Sequence, residues 1–381
     1  MVVKYVNPKK NADIYQKENS IKAAVLTGPN KKVQLQNIPI PIVQNGEVLI
    51  RMLYSEVCGT DVHIQQGKLA GVPYPIIPGH FAVGVVEQVE GDVHSVTNKP
   101  VHPGDTVSFL DVHGTCHRCW QCQVDKAPTK CTSRRVYGVT HSLEEGLLGG
   151  WAEKILLQRD VLITHLPENV SPLRFIAGGC GMPTAVHAIE RGRVALGDHV
   201  FIQGAGPVGL CAAIVAHHSG GIVTIVDKSP VRLKAARALG FDVLQLQPSG
   251  LSSEQIPSRK ADVVIEATGS PNAITDGIKL ARDGGRYVVV GHYSDAGEIN
   301  LNPHLDINKK HLEILGTWGI EYIHFHKSIE LLARKDLTPS GVEIEEVITS
   351  IYDLCDVQKA LDDVRNRQVV KAVISNKQEI Q

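Results

Sequence analysis

The sequence predicts an α/β chain in two parts, a β-rich first half and a doubly wound parallel sheet in the second. Three observations carry this expectation. Short apolar runs punctuated by Gly and Pro fill the first half. From about residue 182, strands and amphipathic helices alternate. A length of 381 residues also exceeds what a single core usually holds. Hydrophobic content of 43%, charged content of 21% and a net charge of -1 are those of an ordinary globular protein. No long run of one sign occurs, which argues against nucleic acid or an anionic membrane as the main partner. No apolar run approaches the roughly 18 residues of a membrane span.

Residues 1–20, "MVVKYVNPKKNADIYQKENS", form a polar extension with Asp13 and Glu18 and no apolar h-region. They read as neither a signal nor a transit peptide, and a cytoplasmic location is the expectation. "KAAVLT", "EVLIRML", "GVVEQV" and "DTVSFL" then read as strands, separated by the turn signals "PGH", "HPGD" and "LPENVSP". Such spacing suggests a twisted or barrel-like β domain. Beyond residue 182 come the strand "HVFIQ", the loop "GAGPVG", the helix "LCAAIVAHHSG" and the strand "IVTIVD". The helices "SPVRLKAARALG" and "AITDGIKLARDG" then alternate with the strands "DVVIEATG" and "RYVVVG", as in a parallel sheet. The tail ends on a helix, "DVQKALDDVRN", and a strand, "VVKAVIS".

The loop supplies Gly204, Gly206 and Gly209 in G-x-G-x-x-G spacing, with Pro207 and Val208 between the last two. It follows a strand, opens a helix, and is answered by Asp227 at the end of the next strand, the full context of a dinucleotide fingerprint. Glycines let the backbone approach a pyrophosphate at a helix N-terminus. Asp227 would accept from both ribose hydroxyls and repel a 2′-phosphate, favouring NAD over NADP, while Lys228 and Arg232 soften that preference. The alternative is a Gly-rich turn that binds nothing.

Eight cysteines are present. Cys116, Cys119, Cys122 and Cys131 have the spacing C-x2-C-x2-C-x8-C, which suits a closed structural zinc site. An iron–sulfur cluster is the competing reading, and His117 is a possible substitute ligand. Cys58 in "CGTDVH", His80 in "PGH" and Cys180 in "GGCGMPT" are separately weak signals.

Together, in this order, these segments resemble the zinc-dependent alcohol dehydrogenases of the medium-chain dehydrogenase/reductase superfamily, from about residue 21 to 375. The resemblance implies a GroES-like catalytic domain from residues 21–181 and 321–381, with a zinc lobe at 113–132, and a Rossmann NAD-binding domain at 182–320. It implies a catalytic zinc on Cys58, His80 and Cys180 that leaves one position for substrate, and a structural zinc on the four clustered cysteines. Asp61 would orient the ligand histidine, Thr60 would take the substrate proton and His63 would relay it. Thr184 would pack against the nicotinamide, backbone groups of Val290, His292, Thr317 and Gly319 would meet its carboxamide, and Lys371 would reach the pyrophosphate. The implied activity is hydride transfer between NAD and a primary or secondary alcohol/carbonyl pair, by a homodimer or homotetramer. Two alternatives are a polyol or sugar dehydrogenase and a non-catalytic cofactor-binding relative.

Two departures from the family pattern stand out. Phe81 follows His80 where relatives commonly have Glu, so it either removes an anion from behind the zinc or only fills space there. Gly59 stands where some relatives have a basic residue. The stretch 134–150 is longer than usual for the family, and Arg134, Arg135, Tyr137, His141 and Trp151 in or beside it are expected candidates for facing the cleft.

Overall fold

The computed structural model describes residues 19–376; most of the polar extension expected at 1–20 lies outside them. Among the described residues Val48–Val57 is the longest strand, and seven of the ten residues of its sequence VLIRMLYSEV are buried. A strand covered on both faces reads as a continuous apolar run rather than an alternating one. It sits mid-sheet in a seven-stranded sheet, between Ala372–Ser375 and Ala82–Val89, with Lys154–Leu157 paired to its first half. Thr106–Phe109 and Ile163–His165 continue the sheet on one side, and Ser350–Asp353 ends it on the other. The last strand of the chain therefore lies antiparallel against residues 54–57.

The second sheet has six strands, all parallel. In spatial order they are Asp242–Gln245, Ile222–Asp227, His199–Gln203, Ala261–Glu266, Ala281–Val289 and Glu313–Gly316. The chain order reverses beside His199–Gln203, the switch point at which such sheets bind ligands. From that strand the chain enters the helix Pro207–His218, whose residues Gly209–Ala216 are all buried. A helix apolar all round belongs inside, and its N-terminal Pro suits a first turn that needs no donor.

The two sheets meet over one apolar core. Phe81, Phe175 and Phe325 form its aromatic centre, with Phe81 stacked on Phe175 at 5.4 Å and edge-on to Phe325 at 5.7 Å. Phe81 is fully buried there, so its space-filling role is the one the packing displays. Among the described residues no helix is long and apolar enough to cross a membrane.

Candidate active site

The strand Val48–Val57 delivers Cys58 to the N-terminus of a short helix, Gly59–Gln65. Cys58 caps that helix: its sulfur accepts from the Thr60 N–H at 3.3 Å, and Asp61 accepts from the Cys58 N–H at 2.8 Å. His80 follows a turn at Gly79, and Cys180 opens the helix Gly181–Arg191. From these three elements the donor atoms of Cys58, His80 and Cys180 converge, and with them a carboxylate oxygen of Glu56, all within 4.8 Å of one another. His80 Nε2 lies 3.9 Å from Cys58 Sγ and 3.8 Å from Glu56 Oε1. Two sulfurs, an imidazole nitrogen and a carboxylate oxygen at these separations suit zinc.

The Cys58 thiol is held well below its usual pKa, first by donation from the Cys180 thiol, then by His80 and the Thr60 side chain, against the cost of burial. Burial pushes the Asp61 carboxyl well up, aided by the nearby Cys58 charge. Burial alone would lower His80, but the Cys58 thiolate and the surrounding carboxylates carry it well above the ordinary value.

Two expectations at this centre are corrected. Asp61 makes no hydrogen bond to His80: its oxygens accept from the Cys58 and Gly79 N–H groups, and His80 Nδ1 is buried without a partner. Its carboxylate braces the two loops that carry Cys58 and His80. Lys371 does not reach toward the nucleotide loop. It is 2% exposed and its Nζ donates to Glu56 Oε2 at 2.5 Å; the last strand pairs Ala372 with Val57 and Val373 with Glu56, so residue 371, just before that strand, reaches residue 56 diagonally. Glu56 Oε1 accepts in turn from the Cys180 N–H at 3.0 Å. The anion that Phe81 fails to supply is thus present, brought from the neighbouring strand. Gly179 covers the pair with φ +50°, and a β-carbon there would lie 2.1 Å from both Glu56 Oε2 and Lys371 Nζ.

The four clustered cysteines also come together. Cys119 and Cys122 sulfurs lie 3.5 Å apart, as do those of Cys116 and Cys131, close to the edge of about 3.8 Å expected of four sulfurs around zinc. Cys131 is lowered to about 6 by the Cys116 and Ser133 N–H groups, and burial raises Cys122 to about 12. His117 turns instead to Thr115 Oγ1 at 3.2 Å.

At the Gly-rich loop, a β-carbon on Gly209 would strike the Gly204 carbonyl at 1.7 Å, so only glycine lets the helix start this close to the strand. Asp227 accepts from the Ala205 and Ser229 N–H groups at 2.7 and 2.8 Å, fixing the loop from the next strand. Arg232 lies over Gly206, with Nε buried and unpartnered. Lys228 is turned to the Pro248 carbonyl. The loop lies beside the metal centre, since a β-carbon on Gly181, next to Cys180, would come within 3.4 Å of the Pro207 carbonyl. Thr184 Oγ1 donates to the Cys180 carbonyl at 2.8 Å.

The segment after Val289 reaches the helix that carries His63. Val290 and Thr317 N–H groups donate to Glu266 and Val289 carbonyls, and the Gly319 carbonyl accepts from His187 Nδ1. That last bond removes the Gly319 oxygen from the groups expected to face a carboxamide. His292 Nε2 is buried without a hydrogen bond, 3.8 Å from Glu266 Oε2. Ser294 Oγ meets His63 Nδ1 at 3.3 Å, and partial burial draws His63 below its ordinary pKa. Tyr293 stacks on Trp318 at 5.8 Å, and the Arg134 guanidinium covers the other ring at 4.6 Å. Burial, then the Asp111 charge, lifts the Tyr293 hydroxyl to about 12. Asp111 is 8% exposed with Oδ1 unpartnered, and His80 and Arg134 act on its charge.

Of the residues expected to face the cleft from the stretch around 134–150, only Arg134 contacts Trp318. Trp151 is core, donating to the Glu56 carbonyl, and Tyr137 donates to the Leu156 carbonyl. Arg135 and His141 turn into a polar network with His113, Asp160 and Glu145. Sequence reasoning missed Glu56, Glu266, Asp111, Tyr293 and Ser294. For Glu56 a signal existed, a lone acid in the apolar run just before Cys58. Glu266 caps the Thr268, Gly269 and Gly291 N–H groups, a role visible only once the two loops meet.

Known proteins resemble this chain along most of its length. Residues 44–168 match the family model for the alcohol dehydrogenase GroES-like domain, and residues 207–334 match that for zinc-binding dehydrogenase. The chain is 32% identical to 5-exo-hydroxycamphor dehydrogenase of Pseudomonas putida, over 93% of this chain and 98% of that protein. It is 29% identical to a sorbitol dehydrogenase of Halalkalibacterium halodurans, over 90% and 95%. An alcohol dehydrogenase from Thermotoga maritima superposes with a TM-score of 0.87 at 28% identity, covering 93% of this chain and 99% of that one. The protein belongs to the zinc-type alcohol dehydrogenase family of the medium-chain dehydrogenase/reductase superfamily and is an oxidoreductase.

Proposed function

We propose that the protein is an NAD-dependent dehydrogenase that interconverts a primary or secondary alcohol and its carbonyl compound at a zinc held by Cys58, His80 and Cys180. The observation that carries the reading is the convergence of those three donors beside a Gly-rich loop. Zinc there would act as a Lewis acid that acidifies the alcohol, and NAD would accept the hydride. The Thr60 hydroxyl takes the proton and His63 passes it on, with Ser294 fixing the imidazole. Because burial lowers His63, it stays neutral and able to accept a proton at neutral pH. Gly204, Gly206, Pro207, Val208 and Gly209 bind the pyrophosphate at the helix N-terminus, helped by Arg232, and Asp227 meets the ribose. Thr184, Val290, His292 and Thr317 border the nicotinamide. Cys116, Cys119, Cys122 and Cys131 hold a second, structural zinc. The working form is a homodimer or homotetramer.

The test is initial-rate measurement with NAD and NADP against a panel of alcohols. NAD reduction by at least one alcohol, with NADP weaker, is the expected result. No turnover with either cofactor across the panel in zinc-replete protein would sink the reading.

A polyol substrate is favoured by one specific observation. Asp111 offers a buried acceptor without a partner, and Tyr293 and Arg134 offer donors around it. A second hydroxyl both donates and accepts, so it can satisfy both kinds of group. Vicinal diols should then outperform monohydric alcohols, and Asp111→Ala, which removes the acceptor, should erase the difference.

A further inference from the structure

Glu56 plays no part in the mechanism above, yet it is 0% exposed at the metal centre. A buried Glu–Lys pair alone contributes little to stability, because desolvation offsets the attraction. Its placement is more specific than that of a counter-ion. Oε2 is held by Lys371 at 2.5 Å, while Oε1 accepts from the Cys180 N–H at 3.0 Å and stands 3.8 Å from His80 Nε2. A tetrahedron with ligand bonds of about 2.0–2.3 Å has edges of about 3.3–3.8 Å. The separations of 3.8 Å from Glu56 to His80 and 3.9 Å from His80 to Cys58 lie at or just beyond the long end of such edges, so a shift of a few tenths of an ångström would close the set. His80 therefore aims the same nitrogen at Glu56 and at Cys58. The charges agree as well: two thiolates balance a dication, and Lys371 balances the carboxylate.

We infer that Glu56 is a displaceable fourth ligand of the catalytic metal. Its Oε1 closes the donor set with Cys58, His80 and Cys180 when substrate is absent. When the substrate oxygen takes that position, Lys371 and the Cys180 N–H retain the carboxylate. The fold reserves this place for Glu56: Phe81 is locked in the aromatic centre, and only glycine at 179 fits over the pair. The inference rests on the reading that Cys58, His80 and Cys180 hold a metal. It departs from a three-ligand site with a standing open position, since the resting metal would carry no exchangeable water.

Cobalt(II) replacement with water-proton relaxation tests it without any turnover. Wild-type protein loaded with two cobalt ions per chain should show little inner-sphere relaxation, because both sites are closed. Glu56→Gln/Lys371→Met removes the carboxylate and its counter-ion together, leaving no buried charge unpaired. In that variant relaxation should rise several-fold, and metal should pass faster to a chelator. A rapidly exchanging water on wild-type cobalt, or equal relaxation in the two proteins, overturns the inference. The wild-type measurement decides alone if the double variant does not fold. Wild-type protein that takes up one cobalt, unchanged by Cys180→Ala, would instead remove the catalytic-metal reading and Glu56's role with it.

Discussion

Burial acts to lower the Lys371 pKa, but Glu56, by charge and hydrogen bond, together with the Cys180 and Cys211 sulfurs carries it above its ordinary value. Removing one member of such a pair leaves the other buried and uncompensated. Lys371→Met should therefore cost about 3–5 kcal/mol, and adding Glu56→Gln should recover much of it. Urea unfolding of the two single variants and the double variant measures this, and additive losses would contradict the pairing. His63 acts on rate rather than stability. Its lowered pKa places the acid limb of kcat/KM below the ordinary 6.5, since the neutral form is the competent one. His63→Gln should lose that limb and slow turnover about 10²-fold, the lower end for general acid–base groups. An unchanged pH profile would exclude the relay. Cys58, His80 and Cys180, the proposed zinc ligands, could be picked out of the sequence because the family motifs set each beside fixed neighbours, and the fold brings their donor atoms together. Lys371 was misread because a basic residue before the last strand has no address until that strand's register against residues 54–57 is known.

Among the elements, the segment from Arg135 to Glu145 is held by two stacked histidines. His113 and His141 Nε2 atoms lie 2.8 Å apart, with Asp160 on the outer nitrogen of one and Arg135 and Glu145 on that of the other. Burial lowers His141 to about 4, whereas the unfolded chain titrates near 6.5. The unfolded state therefore binds more protons between those values. The contribution is fully present above pH 6.5 and is lost as pH falls toward about 4. His141→Gln should flatten the fall in thermal stability over that window, and an identical slope in both proteins would contradict the assignment. The nucleotide loop behaves differently, because its constraint is steric. Gly209→Ala places a carbon against the Gly204 carbonyl, so the dissociation constant for NADH should rise by at least roughly tenfold, or 1.4 kcal/mol. Fluorescence titration of NADH reads this. The loop was readable because a strand, three glycines and an acid recur in fixed order. The network of Arg135 and His141 was not, because loop side chains pair with residues distant in sequence, here His113 and Asp160.

For the whole molecule, the alternation of strands and helices after residue 182 was enough to predict the parallel sheet. The β-rich half was readable as a twisted or barrel-like domain, but its strand order was not, since Val48–Val57 is flanked by Ala82–Val89 on one side and by Ala372–Ser375, far along the chain, on the other. That long-range pairing builds the site, by setting Lys371 behind Glu56 and Glu56 behind Cys58. The central claim is that Cys58, His80 and Cys180 hold a catalytic metal separate from the four-cysteine lobe. The most direct test is zinc content per folded chain in wild type and Cys180→Ala, measured beside NAD reduction by an alcohol. Two zincs in the wild type, falling to one in the variant with loss of turnover, is the predicted result. One zinc in both proteins would contradict the claim, leaving only the four-cysteine lobe filled.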